Sequence, residues 1–437
     1  MSMWSRAKDV AARTPETRNR YVDFLRAASI TVVVLGHWTV AAAYISDGEL
    51  ILTDMLHIAP WTQWLTWGLQ VMPIFFIVGG YSNGISWESA LRDGRGYGFW
   101  LSTRLRRLIS PIVPLLIGWA VLAMVAARGG VSPERITLGS QAALIPTWFL
   151  AVYIMVVITA PATHWLWRRF GMMSFWMFAL AALTVDTVAF TAGLSGLRSL
   201  NYAFVWLGVH QVGYAWRDGK MGGRERALLW AAGGLGFLIF LVTVRSYPVS
   251  MITVPGEAVS NSRPPTFALF ALGMFQAGLV LALEKPARKW LERLRPWAAT
   301  VLVNGTIMTL FLWHLTAMVL VLGLAHLLGD IGLHVLPGSS AWWASRPIWL
   351  GLYIFLLAIF VIIFGRFEQT AKKTAEESVS AGRSILGAVS VCAALAMLAL
   401  HGIGAPGLLG FQVGTVSLAL GGAALVLGPR LGRAPAS

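Results

Sequence analysis

Arg26 and His37 stand eleven residues apart in RYVDFLRAASITVVVLGHW, the stretch from Arg20 to Trp38 that opens the first strongly apolar run of the chain. If that stretch is helical, both side chains point within about 20° of one direction, with His37 about 16 Å further along the axis. Ionisable groups are costly in hydrocarbon and, where they occur there, usually mark a function. An arginine near the membrane surface can hold an anionic group. A histidine deeper in the bilayer can move a proton, because its pKa lies close to working pH. The plainer reading has Arg26 reaching toward lipid headgroups or pairing with Asp23, and His37 bonding a neighbouring carbonyl.

A second group of cations follows in GYGFWLSTRLRRLISPIVP, where Arg104, Arg106 and Arg107 precede Pro111 and Pro114. Arg104 and Arg107 are three apart and share a helix face. Arginines at the start of a helix suit phosphate groups, and the helix dipole adds to the attraction. Ordinary anchoring by positive charge on the cytoplasmic side competes with that reading. Prolines within a span open backbone groups toward a cavity.

Other polar groups carry weaker signals. Asp186, in AALTVDTVAF, is either an acceptor-binding carboxylate or a buried partner of another polar group. His210 and His314 read first as hydrogen-bonded structural histidines. Asp54, His57, Glu257, Asn261 and Arg263 lie between apolar runs and suit either acceptor contact or solvated loops. His326 and Asp330 reproduce the His-x-x-x-Asp spacing of soluble acyltransferases, a spacing short enough to arise by chance. The GGLG near residue 233 lies inside an apolar run, with no strand before it, and reads as helix packing rather than a nucleotide loop.

The elements that must position these residues follow from composition. Of 437 residues, 57% are hydrophobic and 12% charged, against roughly 25% charged in soluble domains. That is the signature of an all-α polytopic membrane protein. Hydropathy places twelve apolar spans near 22–44, 63–83, 105–127, 145–166, 173–193, 200–216, 228–245, 266–284, 299–325, 347–365, 384–402 and 408–428. With the N-terminus cytoplasmic, all but six of the 34 Lys and Arg fall on the inner side, the six being Arg128, Arg135, Arg198, Arg245, Arg263 and Arg346. The net charge of +15 is therefore explained by topology, without a nucleic-acid partner. A single cysteine, Cys392, excludes an internal disulfide and a multi-thiolate metal site, and no metal is expected. Residues 1–20 read as a basic cytoplasmic leader lacking a signal-peptide core. A core follows over 21–367, then a charged cytoplasmic linker, 368–383, and an additional pair of helices within 384–437, giving about ten helices in the core plus two.

The ordered motifs resemble the acyltransferase 3 family of polytopic membrane acyltransferases. Arg26 and His37 match its arginine, ten residues, then histidine in the first span. Arg104 and Arg107 match its Arg-x-x-Arg, and FFIVGGY at 75–81 is similar to its FFxxSGF. WFLAVY at 148–153 and LFLWH ending at His314 extend the resemblance, which covers roughly 20–366. Gly79 stands where the family usually has serine, and Ser82 follows Tyr81.

The resemblance implies transfer of an acyl group, commonly acetyl from cytoplasmic acetyl-CoA, to a hydroxyl on an extracytoplasmic glycan, lipid or secondary metabolite. It implies a multi-pass protein of the cytoplasmic membrane that modifies envelope glycans or similar acceptors. Within it, Arg104 and Arg107 bind the polyanionic donor and Arg26 holds it nearer the reacting end. His37 either deprotonates the acceptor hydroxyl or briefly carries the acyl group. Asp186 and His314 stand as acceptor-side or supporting residues. A secondary transporter or flippase would also have about twelve helices with buried ionisable groups, but should show two related halves, which are not evident here. A membrane scaffold has no need of an arginine and a histidine aligned on one helix.

Overall fold

The computed structural model describes residues 3–15, 18–373 and 379–428. Helix α1 (Met3–Ala12) occupies the expected leader and α2 (Arg20–Val40) follows it. An antiparallel hairpin of β1 (Ala41–Ser46) and β2 (Glu49–Asp54) comes next, closed by Asp47 and Gly48 at φ of 51° and 79°. Two central residues in the left-handed region make the turn that an Asp-Gly pair favours. The hairpin therefore ends the first helix at Val40, where hydropathy alone runs on to 44.

Short helices α3 (Met55–Ile58) and α4 (Thr66–Leu69) lead into α5 (Met72–Arg92). Then come α6 (Tyr97–Ile109), α7 (Ile112–Arg128), α8 (Pro133–Leu144), α9 (Pro146–Phe170), α10 (Met172–Thr191) and α11 (Asn201–Arg217). They are followed by α12 (Arg224–Thr243), α13 (Phe267–Ala282), α14 (Glu284–Trp290), α15 (Leu294–Gly305) and α16 (Ile307–Leu327). The chain finishes with α17 (Ser340–Lys373), α18 (Ala381–His401) and α19 (Val413–Leu427).

The protein is an all-α polytopic membrane protein. Every apolar run of the sequence carries helix. Among the described residues, eight helical stretches are long and apolar enough to cross a membrane, or nine if α13 and α14, bent by 52°, form one span. The shortfall from twelve has local causes. Helix α2 carries Arg20, Asp23, Arg26 and His37, while α11 and α19 have only 17 and 15 residues. The run at 299–325 is two helices, α15 ending at Gly305 and α16 starting after Thr306. The run at 105–127 likewise breaks at Ser110-Pro111, so the three arginines sit on α6, ahead of the apolar helix α7.

The chain divides into two compact units. The first comprises Met1–Ser86, Thr159–Gly305 and Val335–Trp343, and the second Trp87–Ile158, Thr306–His334 and Ala344–Ser437. In the first, α1 packs on α15 through Ala11, Trp297 and Ala298, and Trp297 Nε1 donates to Thr14 Oγ1 at 3.0 Å. The leader is thus a folded part of this unit. Small residues let its helices approach closely. A Cβ on Gly234 would strike the backbone of Met274 and Phe275 on α13, which bears out packing as the reason for the GGLG.

In the second unit α18 and α19 pack through Gly387 and Gly422, each against the other's carbonyl. Cys392 Sγ points at the Ala151 carbonyl and Arg106 Nε at that of Val426, so the terminal pair is bound into this unit. Helix α17 continues to Lys373, with Glu368 buried and accepting from Thr309 N and Oγ1 at 3.2 Å. The start of the charged segment 368–383 is therefore helical, and residues 374–378 lie outside the described residues.

One position on α5 tests this packing. A Cβ on Gly80 would collide with the His210 carbonyl and with Gly213 of α11, backbone atoms that have no rotamer to yield. Gly80→Ala is expected to lower stability by about 1–3 kcal/mol. Gly36→Ala on α2, where a Cβ meets nothing within 4 Å, should leave it unchanged. Thermal unfolding of the two variants in detergent compares them directly.

Candidate functional site

The first unit assembles a site along α2. Asn19 caps the helix, its Oδ1 accepting from the amides of Tyr21 and Val22 at 3.2 and 3.4 Å. Asp23 sits in the first turn, where the helix dipole favours a carboxylate. It accepts from Arg18 Nε at 2.6 Å and pairs with Arg26 Nη1 at 3.3 Å. The pairing with Asp23 is the one the sequence suggested, but it engages only one edge of the guanidinium. Arg26 Nη2 donates to Ser82 Oγ on α5 at 2.9 Å. Two partners on two helices fix the arginine's direction while 29% of its side chain stays exposed.

Ser82 lies three residues beyond Gly79, the position of the family serine. Gly80 falls where α5 meets α11, and the hydroxyl that reaches Arg26 comes from Ser82 on the next turn. Beside it, Tyr81 Oη accepts from Asn19 Nδ2 at 2.9 Å, and its ring lies 4.8 Å from Trp216. The start of α2 is thereby stitched to α5 from both sides of the cap.

Helix α2 is unbroken from Arg26 to His37, so the two remain on one face, about 16 Å apart along the axis. His37 lies in the last turn, where its carbonyl accepts from Ala41 N, the first residue of the hairpin. The imidazole is half-buried. The charge of Arg263 reaches it from the loop before α13. Burial pushes the pKa of Arg263 down, and the Tyr202 hydroxyl opposes that. Nothing in the spacing of the sequence links Arg263 to His37, more than two hundred residues earlier.

Arg104 and Arg107 belong to the second unit. Helix α6 buries Leu101, Leu105 and Ile109 and turns its arginines in different directions. Arg104 is half-buried with its guanidinium 6.0 Å from the Trp100 ring, and Arg107 is exposed. Arg106, which the shared-face argument passes over, is the buried member and points at the carbonyl of Val426. His314 is also in this unit, fully buried, with Nδ1 2.8 Å from the carbonyl of Phe311. His326 and Asp330 are bonded to each other at 2.5 Å, half-buried at the end of α16.

The remaining polar residues of the first unit are mostly structural. Asp186 is fully buried and takes three donors, Asn201 Nδ2 at 2.8 Å, Tyr247 Oη at 3.0 Å and Phe267 N at 2.6 Å. Its geometry is that of a supporting residue which anchors the start of α13. Asp186→Ala would leave these buried donors without an acceptor, at about 1–3 kcal/mol each. A loss of thermal stability is expected, with the turnover of each folded molecule retained. Asn261 is likewise buried, its amide donating to the carbonyls of Pro248 and Ser250 at 2.7 and 2.9 Å. Asp54 accepts from the amide of His57 at 2.9 Å, and burial raises its pKa despite that bond. His210 Nε2 meets Asn83 Nδ2 at 3.1 Å in a fully buried position. Among the described residues, no group of three or more His, Cys, Asp and Glu stands together as a metal site would require.

Residues 19–366 match the sequence profile of the acyltransferase 3 family, described as an acyltransferase domain. The chain belongs to that family. No curated protein and no solved structure matches it. The match begins at Asn19, the residue that caps α2, and ends inside α17, leaving α1, α18 and α19 beyond it. It makes the protein a membrane acyltransferase and sets aside the transporter and scaffold readings.

Proposed function

We propose that this membrane acyltransferase takes an acyl group, acetyl in the simplest case, from cytoplasmic acyl-CoA and transfers it to a hydroxyl of an extracytoplasmic glycan, lipid or secondary metabolite. The observation that carries the proposal is the pair on α2, an arginine fixed by Asp23 and Ser82 and a histidine three turns further along the same face. On the positive-inside assignment, the arginine lies toward the cytoplasm and the histidine deeper in the bilayer. Arg26 holds the donor.

His37 accepts the proton of the acceptor hydroxyl as the oxygen attacks the thioester carbonyl. The tetrahedral intermediate collapses with cleavage of the carbon–sulfur bond. The coenzyme A thiolate leaves and recovers the proton from the imidazolium, which restores His37. In the covalent variant of this scheme, the imidazole attacks the thioester first and expels the coenzyme A thiolate; the acceptor oxygen then attacks the acyl-imidazole, the imidazole leaves, and the hydroxyl proton passes to the thiolate. Arg263, whose charge acts on His37, would stabilise the developing oxyanion.

The test uses full-length protein in proteoliposomes of one orientation, with [14C]acetyl-CoA supplied on one face at a time. Consumption of the thioester only from the face that carries α1 is expected. Consumption only from the opposite face, or no turnover with acyl donors of any chain length, would refute the proposal.

A further inference from the structure

A pocket in the first unit is lined by Tyr81, the last residue of FFIVGGY, and otherwise by residues outside the family motifs. Its cavity of about 360 Å³ is bounded by the α11–α12 turn, the bend between α13 and α14, and Tyr81 of α5. Four cations line it, Arg217, Arg224, Lys285 and Arg288, against a single carboxylate, Glu284. Both segments fall on the side that the charge count assigns to the cytoplasm.

The pocket is built on fixed ion pairs. Arg217, with 8% of its side chain exposed, holds Asp218 Oδ1 through Nε at 2.8 Å and Nη2 at 2.7 Å. Asp218 also accepts from Trp167 Nε1 at 2.7 Å. Burial opposes its ionisation, but the bonds from Trp167 and Arg217 hold its pKa below the usual carboxylate range. Glu284 is bound between Trp216 Nε1 and Arg288 Nε, each at 2.9 Å. Arg224 and Lys285, both exposed, add two further positive charges to this frame.

The turn itself is shaped for an anion. Gly219 and Gly222 have φ of 66° and 76°, and Gly223 opens the 20-residue helix α12 without a side-chain cap. The amides of the first turn of α12 therefore face outward beside the cations. Tyr81, which lines the pocket, is the immediate neighbour of Ser82, and Ser82 holds Arg26. Tyr81 Oη also accepts from Asn19, the cap of α2, so the cationic pocket borders the start of that helix through Tyr81.

We infer that this pocket binds the phosphate groups of the acyl donor's nucleotide, with its extended arm running along α2 from Arg26 toward His37. The inference rests on the acyl-CoA reading above and assigns that donor a phosphate site apart from Arg104 and Arg107. An anionic lipid headgroup offers the same phosphate chemistry. The link from the pocket through Tyr81 to the cap of α2, the helix that carries Arg26, favours the donor.

The test uses full-length protein in phosphatidylcholine nanodiscs and the double variant Arg224→Gln/Lys285→Gln, which alters two exposed side chains outside the fixed pairs. Two donors are compared, acetyl-CoA and S-acetylpantetheine, which lacks phosphates. The expected result is a loss of about tenfold or more in acetyl-CoA affinity with turnover of S-acetylpantetheine unchanged. Unchanged acetyl-CoA affinity in this variant, with loss in Arg104→Gln/Arg107→Gln, would overturn the pocket assignment and keep the donor reading. Unchanged affinity together with loss of co-purifying phosphatidylglycerol, read by native mass spectrometry, would reassign the pocket to lipid. Wild-type protein that binds no acyl-CoA would instead overturn the donor reading on which the inference rests.

Discussion

His37→Gln protein is expected to bind acyl-CoA as wild type does and to transfer acyl groups about 10²- to 10⁴-fold more slowly. Glutamine fills much of the imidazole volume and retains hydrogen-bonding capacity, so the last turn of α2 should keep its structure. It cannot accept a proton at neutral pH or carry an acyl group. The effect should therefore appear in kcat, with the donor's dissociation constant nearly unchanged. Rapid acid quench distinguishes the two roles. An acyl-enzyme that forms in wild type before product, and is absent from His37→Gln, marks the covalent route. Wild-type turnover without such a species marks the general base. A His37→Gln rate within tenfold of wild type would remove the histidine from the chemistry.

Arg26→Met should have the opposite kinetic signature. The guanidinium bridges Asp23 and Ser82, and its removal leaves Asp23 still paired with Arg18 at 2.6 Å. The cap and first turn of α2 should survive, so stability should change little. Loss of a charge-assisted contact to the donor costs about 1.5–3 kcal/mol, or about 10- to 150-fold in affinity. Arg26→Lys should recover only part of this, since an ammonium cannot reach Asp23, Ser82 and donor with one planar fork. Ser82→Ala, which frees the guanidinium without removing it, should weaken donor binding less than Arg26→Met does. Donor titrations of the three variants under single-turnover conditions provide the comparison. Wild-type affinity in Arg26→Met would make the arginine a structural tie only.

The membrane class and the α2 pair were legible because hydropathy and helical period depend on local sequence alone. Positions where backbone chemistry competes with hydropathy were harder to read. The Asp47-Gly48 turn converts the end of one apolar run into a hairpin, and another is interrupted at Thr306, just after Asn304-Gly305. Both pairs are recognisable turn formers, and greater weight on them would have found both breaks. Helical spacing alone favoured Arg104 with Arg107, yet burial of the Leu101, Leu105 and Ile109 face draws Arg106 inward and leaves Arg107 outside. Ser82 was obscured by the shift of the family serine to Gly79. Its bond to Arg26 depends on how closely α5 approaches its neighbours, which no local pattern encodes. Asp186 and Arg263 acquire their surroundings from loops and helices distant in sequence, so their types suggested roles without partners.

The central claim is that donor binding and acyl chemistry reside on one face of α2 and can be separated. Its most direct test is acetyl-CoA binding and slow thioester turnover, measured side by side on purified wild type and His37→Gln in nanodiscs. The account predicts equal affinities, with turnover in wild type and almost none in the variant. Equal turnover in both proteins would contradict it, as would a well-folded wild type that binds no acyl-CoA of any chain length.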